Sequence, residues 1–162
     1  MNPLDVPPNV LRLPPQSPEA EASLLGGLML SGDALESCGG IVYADDFYSL
    51  ENRLVFEAIQ ALAGAGKPAD VVTVFDWLQS AGKAGDVGGI VYLNSLAQYV
   101  PSGYNMRRYA EIVRERALLR RVISTADEVA AKAYDPEGES AGEILGGALG
   151  KQSRSTSDVL RA

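Results

Sequence analysis

The stretch RRYAEIVRERALLRR, from Arg107 to Arg121, lies inside the longest helical pattern of the chain. Apolar residues recur here every three or four positions, the spacing that places them on one face of an α-helix. This stripe consists of Tyr109, Ile112, Val113, Leu119, Ile123, Ala126, Ala130 and Ala133. It is longer than the mean globular helix of roughly 11 to 12 residues. No run elsewhere alternates polar and apolar residues over more than a few positions, so the sequence predicts an all-α fold.

Shorter helical patterns precede the long one, and most begin at a residue that can cap a helix. These caps are Ser17, Asp33 and Ser49, and Asp70 precedes a further short helical pattern. The pattern predicts a compact bundle of five short helices over residues 17–102, after a flexible, proline-rich tail formed by residues 1–16. Gly26 and Gly27 lie inside the first helix, where each costs about 1 kcal/mol relative to Ala. The pair therefore predicts the close approach of a neighbouring helix.

The long helix is predicted to begin at a cap provided by Ser102 or Asn105 and to end before Pro136, which cannot continue a helix. Ser140 can cap a second helix after this turn. Two helices joined by a short turn form an antiparallel hairpin, here predicted over residues 103–150, with residues 151–162 as the start of a linker. A lone hairpin cannot bury both of its faces, so it needs the bundle or another copy of itself.

The charge is divided unevenly along the chain. The net charge is −7, with 4 Lys and Arg against 12 Asp and Glu in residues 1–102, whereas residues 107–121 carry six arginines and two glutamates. Free nucleic-acid-binding domains are usually basic overall, so the balance argues against nucleic acid as the main partner. The arginines are therefore interpreted either as phosphate contacts or, preferentially, as a face that meets acidic groups of this chain or of a protein partner.

Enzymatic chemistry has little support in the composition. The chain has no His, the commonest general base and metal ligand, and its single Cys38 can form no internal disulfide. The segment Gly146–Ser153 approaches a phosphate-binding loop but lacks the first glycine and the hydroxyl after Lys151. The neighbouring carboxylates Asp45 and Asp46 are interpreted as part of a solvated turn, with helix capping as a further role. The sequence thus predicts no catalytic residue, metal site or cofactor, and it contains no signal peptide or membrane-spanning run.

Several motifs occur together and in order. They are EAEASLLGGLML, DDFYSLENRLVFEAIQAL, GKPADVVTV, VGGIVYLNSLAQYVPS, YAEIVRERALLRR and AYDPEG. The combination of VGG-x-x-YL, Pro-Ser and YA-x-IVRERA-x-x-R is specific. Over about Leu13 to Leu145, the chain resembles the N-terminal domain of DnaB-type replicative DNA helicases. After Leu145 it departs from the family pattern, because the sequence is richer in Gly and Ser than the expected hairpin helix.

The resemblance implies a cytoplasmic assembly domain that performs no chemistry. In the family, hairpins of neighbouring subunits form dimers, and three dimers form a collar on a hexameric ring that contacts primase and, in some systems, a helicase loader. DNA passes through the parent ring, and ATP and Mg²⁺ belong to the parent's downstream motor, so this segment is expected to need no cofactor. The oligomeric state of this segment, its chromosomal, phage or plasmid origin and the face that meets primase stay open.

The resemblance also implies roles for residues of the hairpin. Six apolar residues are expected at the interface between subunits: Tyr109, Ile112, Val113, Leu119, Ile123 and Val129. Three arginines, Arg114, Arg120 and Arg121, are expected to make polar contacts at its rim. The alternative is a standalone single-strand DNA-binding or helicase-modulating accessory module that uses the Arg107–Arg121 face.

Overall fold

A computed structural model describes residues 12–38, 40–101 and 105–160. The helices are α1 (Pro18–Leu30), α2 (Ala34–Cys38), α3 (Leu50–Gly64), α4 (Val71–Ser80), α5 (Ala84–Val87), α6 (Gly89–Gln98), α7 (Met106–Tyr134) and α8 (Ala141–Leu160). One turn of 3-10 helix covers Ala44–Asp46. The described residues contain no strand, and the predicted all-α fold is confirmed.

Helix α1 lies at the centre of the bundle and contacts α3, α6 and α7. A β-carbon at Gly26 would meet the carbonyl oxygen of Leu96 in α6, and one at Gly27 would meet the side chain of Met106 in α7. The predicted close approach of a neighbouring helix is confirmed, and it involves two helices. At Gly26 the backbone of α6 comes too close for any side chain, whereas at Gly27 the side chain of Met106 occupies the space that a β-carbon would need.

Local capping determines where the helices begin. Ser17, Ser49 and Asn105 each accept a hydrogen bond from a backbone N–H in the first turn of α1, α3 and α7, respectively. Asp70 accepts from the N–H groups of Val72 and Thr73 at the start of α4. These bonds satisfy donors that have no partner within the helix. Ser102, the alternative cap for α7, lies outside the described residues.

A buried polar network joins three helices of the bundle. The carboxylate of Glu21 in α1 accepts hydrogen bonds from the Tyr48 N–H and from Asn52 Nδ2 in α3, each at 2.7 Å. Asn52 Oδ1 in turn accepts from the hydroxyl of Tyr92 in α6 at 2.6 Å. Burial raises the pKa of Tyr92, and the nearby carboxylates of Glu51 and Glu21 raise it further, so the phenol stays protonated as a donor. The network fixes how α1, α3 and α6 pack together.

The structure corrects the prediction in two places. Among the described residues the bundle has six short helices and not five, because residues 84–87 form the one-turn helix α5. The segment 41–48, predicted as a loop or extended link, contains the 3-10 turn. Most of the predicted flexible tail, residues 1–11, lies outside the described residues. The backbone of α8 runs to Leu160, ten residues beyond the predicted end of the hairpin; the division into domains stays a prediction.

The hairpin leaves the bundle partway along α7. The buried positions Met106, Ala110, Val113 and Ala117 recur at helical spacing and pack against the bundle, and none follows Ala117. Beyond this point α7 contacts α8, which folds back along it and buries Ile144. A salt bridge of 2.8 Å between Lys132 and Glu139 spans the connecting turn. The first half of α7 therefore belongs to the bundle, and its second half belongs to the projecting hairpin.

Candidate interaction surface on the helical hairpin

A buried carboxylate holds the first half of α7 against the bundle. Asp46, in the 3-10 turn, is fully buried. Its Oδ1 atom accepts hydrogen bonds from Arg114 at 2.8 Å and from Arg121 at 3.3 Å, and its Oδ2 atom accepts from the N–H of Tyr43 at 2.8 Å. The guanidinium of Arg114 also lies 5.4 Å from the centre of the Tyr43 ring. A carboxylate that is buried away from water needs hydrogen-bonding partners of opposite charge. The arginines of α7 therefore fix the 41–48 segment in place.

Arg120 completes this attachment through backbone oxygens. Its guanidinium donates to the carbonyl of Asp46 at 2.6 Å and to the carbonyl of Pro15 at 2.7 Å, and it lies 5.5 Å from the centre of the Tyr48 ring. One side chain of α7 therefore holds both the 3-10 turn and the residues that lead into α1.

Four of the residues expected at a subunit interface have partners or neighbours within the same chain. Arg114 and Arg120 were expected at the rim of a subunit interface, but both guanidinium groups bind groups of the same chain. Val113 is 1% exposed in the bundle core, so it cannot meet a second subunit. Arg121 is half exposed, and its guanidinium binds the same Asp46 carboxylate as Arg114, so it also contacts the bundle. Asp46 itself was interpreted as part of a solvated turn, and that was wrong.

The remaining expected interface residues are divided between the bundle and the solvent. Tyr109 and Ile112 are half-buried and pack against the core. Leu119 and Ile123 are 38% and 47% exposed. Val129 is half-buried and lies beside Ile144 of α8. Leu119 and Ile123 are thus the two that the structure presents outward, and their contact with another subunit stays a prediction.

The hairpin exposes further apolar side chains that the sequence did not assign to an interface. They are Val122, Tyr134, Leu145 and Leu149. The pattern of α8 could have indicated the last two. Ile144 and Ala148 face α7, so Leu145 and Leu149, each one position further on, lie about 100° around the helix and away from it. Such a cluster of exposed apolar groups on one projecting element is typical of a protein interaction surface.

Charge changes sign along the hairpin. The half of α7 that packs on the bundle, residues 106–121, carries six arginines and two glutamates. The projecting part, residues 122–150, carries six acidic residues and one lysine. Three acidic residues flank the turn, and Glu139 among them binds Lys132. The basic stretch noted in the sequence thus ends where the free hairpin begins.

The described residues contain no metal-binding cluster. No group of three or more potential metal ligands comes together among them. Burial raises the pKa of the Cys38 thiol, and the positive charge of Arg107 only partly opposes this, so the thiol stays in its unreactive protonated form. No helix within the described ranges is long and apolar enough to cross a membrane.

Comparison with known proteins agrees with this architecture. Residues 13–115 match the family model of the DnaB-like helicase N terminal domain. The chain is 40% identical over 133 residues to the replicative DNA helicase DnaB of Haemophilus influenzae, and 40% identical over 128 residues to the replicative DNA helicase DnaC of Bacillus subtilis. These regions cover 82% and 79% of this chain. The chain spans only 28% of the length of either relative.

Solved structures share this fold, and two of them are described here. The N-terminal domain of DnaB helicase from Mycobacterium tuberculosis superposes with a TM-score of 0.80 at 39% identity, covering 85% of this chain and 96% of that one. The second is the structure of a DnaB-like replicative helicase that was described together with its interactions with primase. It superposes with a TM-score of 0.62, covering 80% of this chain and 31% of the helicase chain. At 22% identity, the second likeness shows the fold alone. By the family match, the sequence identity and the shared fold, this chain belongs to the DnaB-like helicase N-terminal domain family.

Proposed function

We propose that this domain assembles with copies of itself through its hairpin, forms the collar of a hexameric replicative helicase and docks primase during DNA replication. The domain performs no chemistry of its own. The parent protein, in this proposal, hydrolyses ATP with Mg²⁺ in a downstream motor and encircles DNA. A helicase loader is a further partner of the same collar.

One observation carries the proposal: the hairpin projects from the bundle with its apolar side chains uncovered. Leu119, Val122 and Ile123 on α7 and Leu145 and Leu149 on α8 are between 38% and 66% exposed. Burying apolar surface contributes about 25 cal/mol per Å² to stability. A second hairpin that covered these side chains would therefore stabilise both hairpins. The TM-score of 0.80 to the Mycobacterium tuberculosis domain supports the shared fold, whereas these exposed side chains supply the reason for association.

The self-association is tested with Ile123→Asp. A carboxylate buried at an interface without a partner costs several kcal/mol, so we expect a lower mass by light scattering. Helix content should stay the same, because Ile123 is 47% exposed in the single chain. Ser124→Asp is the matched control: it adds the same charge at an exposed position about 100° around the helix. Equal masses for Ile123→Asp and the unaltered chain would contradict the proposal.

Primase docking rests on the relative described with primase, and it needs its own test. The chain is titrated at low salt with the C-terminal helicase-binding domain of the cognate primase, and the mass of the mixture is recorded in parallel. We expect a complex that contains more than one copy of this chain. No binding to primase by an associated chain would remove primase from the proposal and leave the assembly role in place.

The alternative, a single-strand DNA-binding accessory module, is weakened by the structure. Arg114 and Arg120 are already bound to Asp46 and to backbone carbonyls, so they cannot reach phosphates without releasing the bundle. Phosphate contacts would give DNA binding that falls steeply as salt rises. We expect no such binding from the isolated chain.

A further inference from the structure

A series of polar contacts connects a surface cavity of the bundle with the base of the hairpin. This relay consists of Tyr92, Asn52, Glu21, Tyr48 and Arg120. It starts in an open cavity of about 290 Å³ between α1, α3 and α6, where Tyr92 donates its hydroxyl to Asn52 Oδ1 at 2.6 Å. Asn52 Nδ2 donates to Glu21 Oε2 at 2.7 Å, and Glu21 Oε1 accepts from the N–H of Tyr48 at 2.7 Å. The first bond of the relay therefore lies where another molecule can reach it.

Tyr48 joins the relay to α7. The centre of its ring lies 5.5 Å from the guanidinium of Arg120, which also donates at 2.6 Å to the carbonyl of Asp46, two residues before Tyr48. A shift of the backbone at Tyr48 therefore moves both groups that Arg120 binds in this segment. Arg120 lies three residues beyond Ala117, the last buried residue of α7. The relay thus ends where the hairpin leaves the bundle.

Glu21 is the most sensitive member of the relay. It is 3% exposed, it forms no ion pair with any described residue, and both of its hydrogen bonds come from neutral donors. Asp46, which is also buried, instead binds two arginines. A buried charge with few partners depends strongly on each of them, and hydrogen bonds in series polarise one another. Withdrawing the Tyr92 hydroxyl from Asn52 therefore changes how firmly Glu21 binds the Tyr48 N–H.

Helix α7 transmits a change at Arg120 to the far end of the hairpin. Its residues, Met106–Tyr134, include no glycine or proline, which are usual causes of a kink. Helix α8 packs along α7 and follows it. The helix extends about 21 Å from Arg120 to Tyr134, so a tilt of about 10° at its base moves Tyr134 by about 4 Å. A small loosening at Arg120 is therefore measurable at the turn of the hairpin.

We infer that the relay is a coupling device through which the cavity at Tyr92 controls the angle of the hairpin. A hydrogen-bonding side chain of a partner that enters the cavity and binds the Tyr92 hydroxyl or the Asn52 amide competes for the first bond of the relay. This competition loosens the attachment of Arg120 to the 3-10 segment. The coupling lies within one chain, so it depends neither on the self-association nor on the primase docking proposed above.

Tyr92→Phe tests the inference in the full chain, because it removes the first hydroxyl and keeps the ring. Tyr99→Phe is the matched control, since it removes a hydroxyl from the same cavity outside the relay. Double electron–electron resonance between spin labels on Gln60→Cys and Tyr134→Cys, both exposed positions, reports the hairpin angle. Cys38→Ala removes the native thiol from all samples, and an excess of unlabelled chain excludes distances between copies. We expect Tyr92→Phe to shift the mean distance by about 2 Å or more and Tyr99→Phe to leave it unchanged.

Hydrogen exchange separates this coupling from a general loss of stability. The Tyr48 amide donates to Glu21, so Tyr92→Phe should speed its exchange by about fivefold, the equivalent of one weakened hydrogen bond. The amide of Leu78, a fully buried residue of α4 outside the relay, reports global unfolding. We expect the exchange rate of Tyr48 to rise relative to that of Leu78.

Coupling between two sites is reciprocal, so the relay is also tested from its other end. Arg120→Met should shift the NMR signals of the Asn52 side-chain amide, whereas Arg116→Met, at an exposed position of the same helix, should not. The inference is overturned if Tyr92→Phe matches Tyr99→Phe in the distances or in the exchange ratio, or if the Asn52 amide does not respond to Arg120→Met.

Discussion

Replacing Asp46 with alanine should destabilise the domain more than any other single removal of charge that we describe. The change removes the carboxylate that binds Arg114 at 2.8 Å, Arg121 at 3.3 Å and the Tyr43 N–H at 2.8 Å. The side chain of Arg114 is only 13% exposed, so its positive charge stays nearly buried without a counter-charge. Breaking a buried pair by removing one partner costs about 3–5 kcal/mol. Domains of this size have a total stability of about 5–15 kcal/mol.

The assay is thermal and urea unfolding followed by far-UV circular dichroism. For a chain of this length, each kcal/mol lowers the melting temperature by about 2–4 °C, so Asp46→Ala should melt about 6–20 °C lower. Asp45→Ala is the matched control, because it removes the same charge at the neighbouring exposed position. Its free energy of unfolding should change by less than about 0.5 kcal/mol.

Two results would refute this reasoning. The first is an Asp46→Ala variant that unfolds together with the Asp45→Ala control. The second comes from a double-mutant cycle with Arg114→Met. Once the guanidinium is gone, the carboxylate has less to stabilise, so the two changes together should cost less than the sum of the single changes. Strict additivity would mean that the 2.8 Å contact does not stabilise the fold.

Two further predictions concern α1 and α8. Gly26→Ala should lower the free energy of unfolding by about 1–3 kcal/mol in urea, since its β-carbon would meet Leu96, whereas Gly32→Ala, in open space, should have little effect. The pKa of Glu143 lies below its ordinary 4.5, chiefly because it accepts a hydrogen bond from the Ser140 N–H. Because the pKa of Glu143 is lower in the folded chain than in the unfolded chain, its charge stabilises the start of α8 at pH values above the unfolded pKa. This stabilisation is lost as the pH falls through the folded pKa. Protection of the Ser140 amide from hydrogen exchange should fall in that acidic range, and Glu143→Gln should abolish the pH dependence.

The helices could be predicted from the sequence because their signals are local. A serine, aspartate or asparagine that caps a helix binds N–H groups two or three residues away, so the sequence alone contains both partners. Ser17, Ser49, Asn105 and Ser140 act as predicted. The glycine pair of α1 indicated close packing for a similar reason: glycine is costly inside a helix unless a neighbour needs the space.

The partners of the arginines could not be predicted in this way. Asp46 lies 68 residues from Arg114 and 75 from Arg121, and nothing in the sequence distinguishes it from Asp45 beside it. The apolar stripe of α7 was treated as one surface, whereas the bundle covers only its first half. Val113 and Ile123 belong to the same stripe at helical spacing, yet one is 1% exposed and the other 47%. Burial of this kind depends on where the bundle ends, which is a property of the tertiary fold.

The division of α7 gives its charges two separate roles. Where the bundle is in contact, Arg114, Arg120 and Arg121 neutralise or bind groups of the same chain and fix the angle at which the hairpin leaves. Where α7 leaves the bundle, Lys132 binds Glu139 across the connecting turn, so this charge helps to close the hairpin. Loss of Asp46 should therefore change the stability of the domain first and its association second, whereas Ile123→Asp should change association alone. Measuring both quantities on both variants separates a residue that builds the domain from one that assembles it.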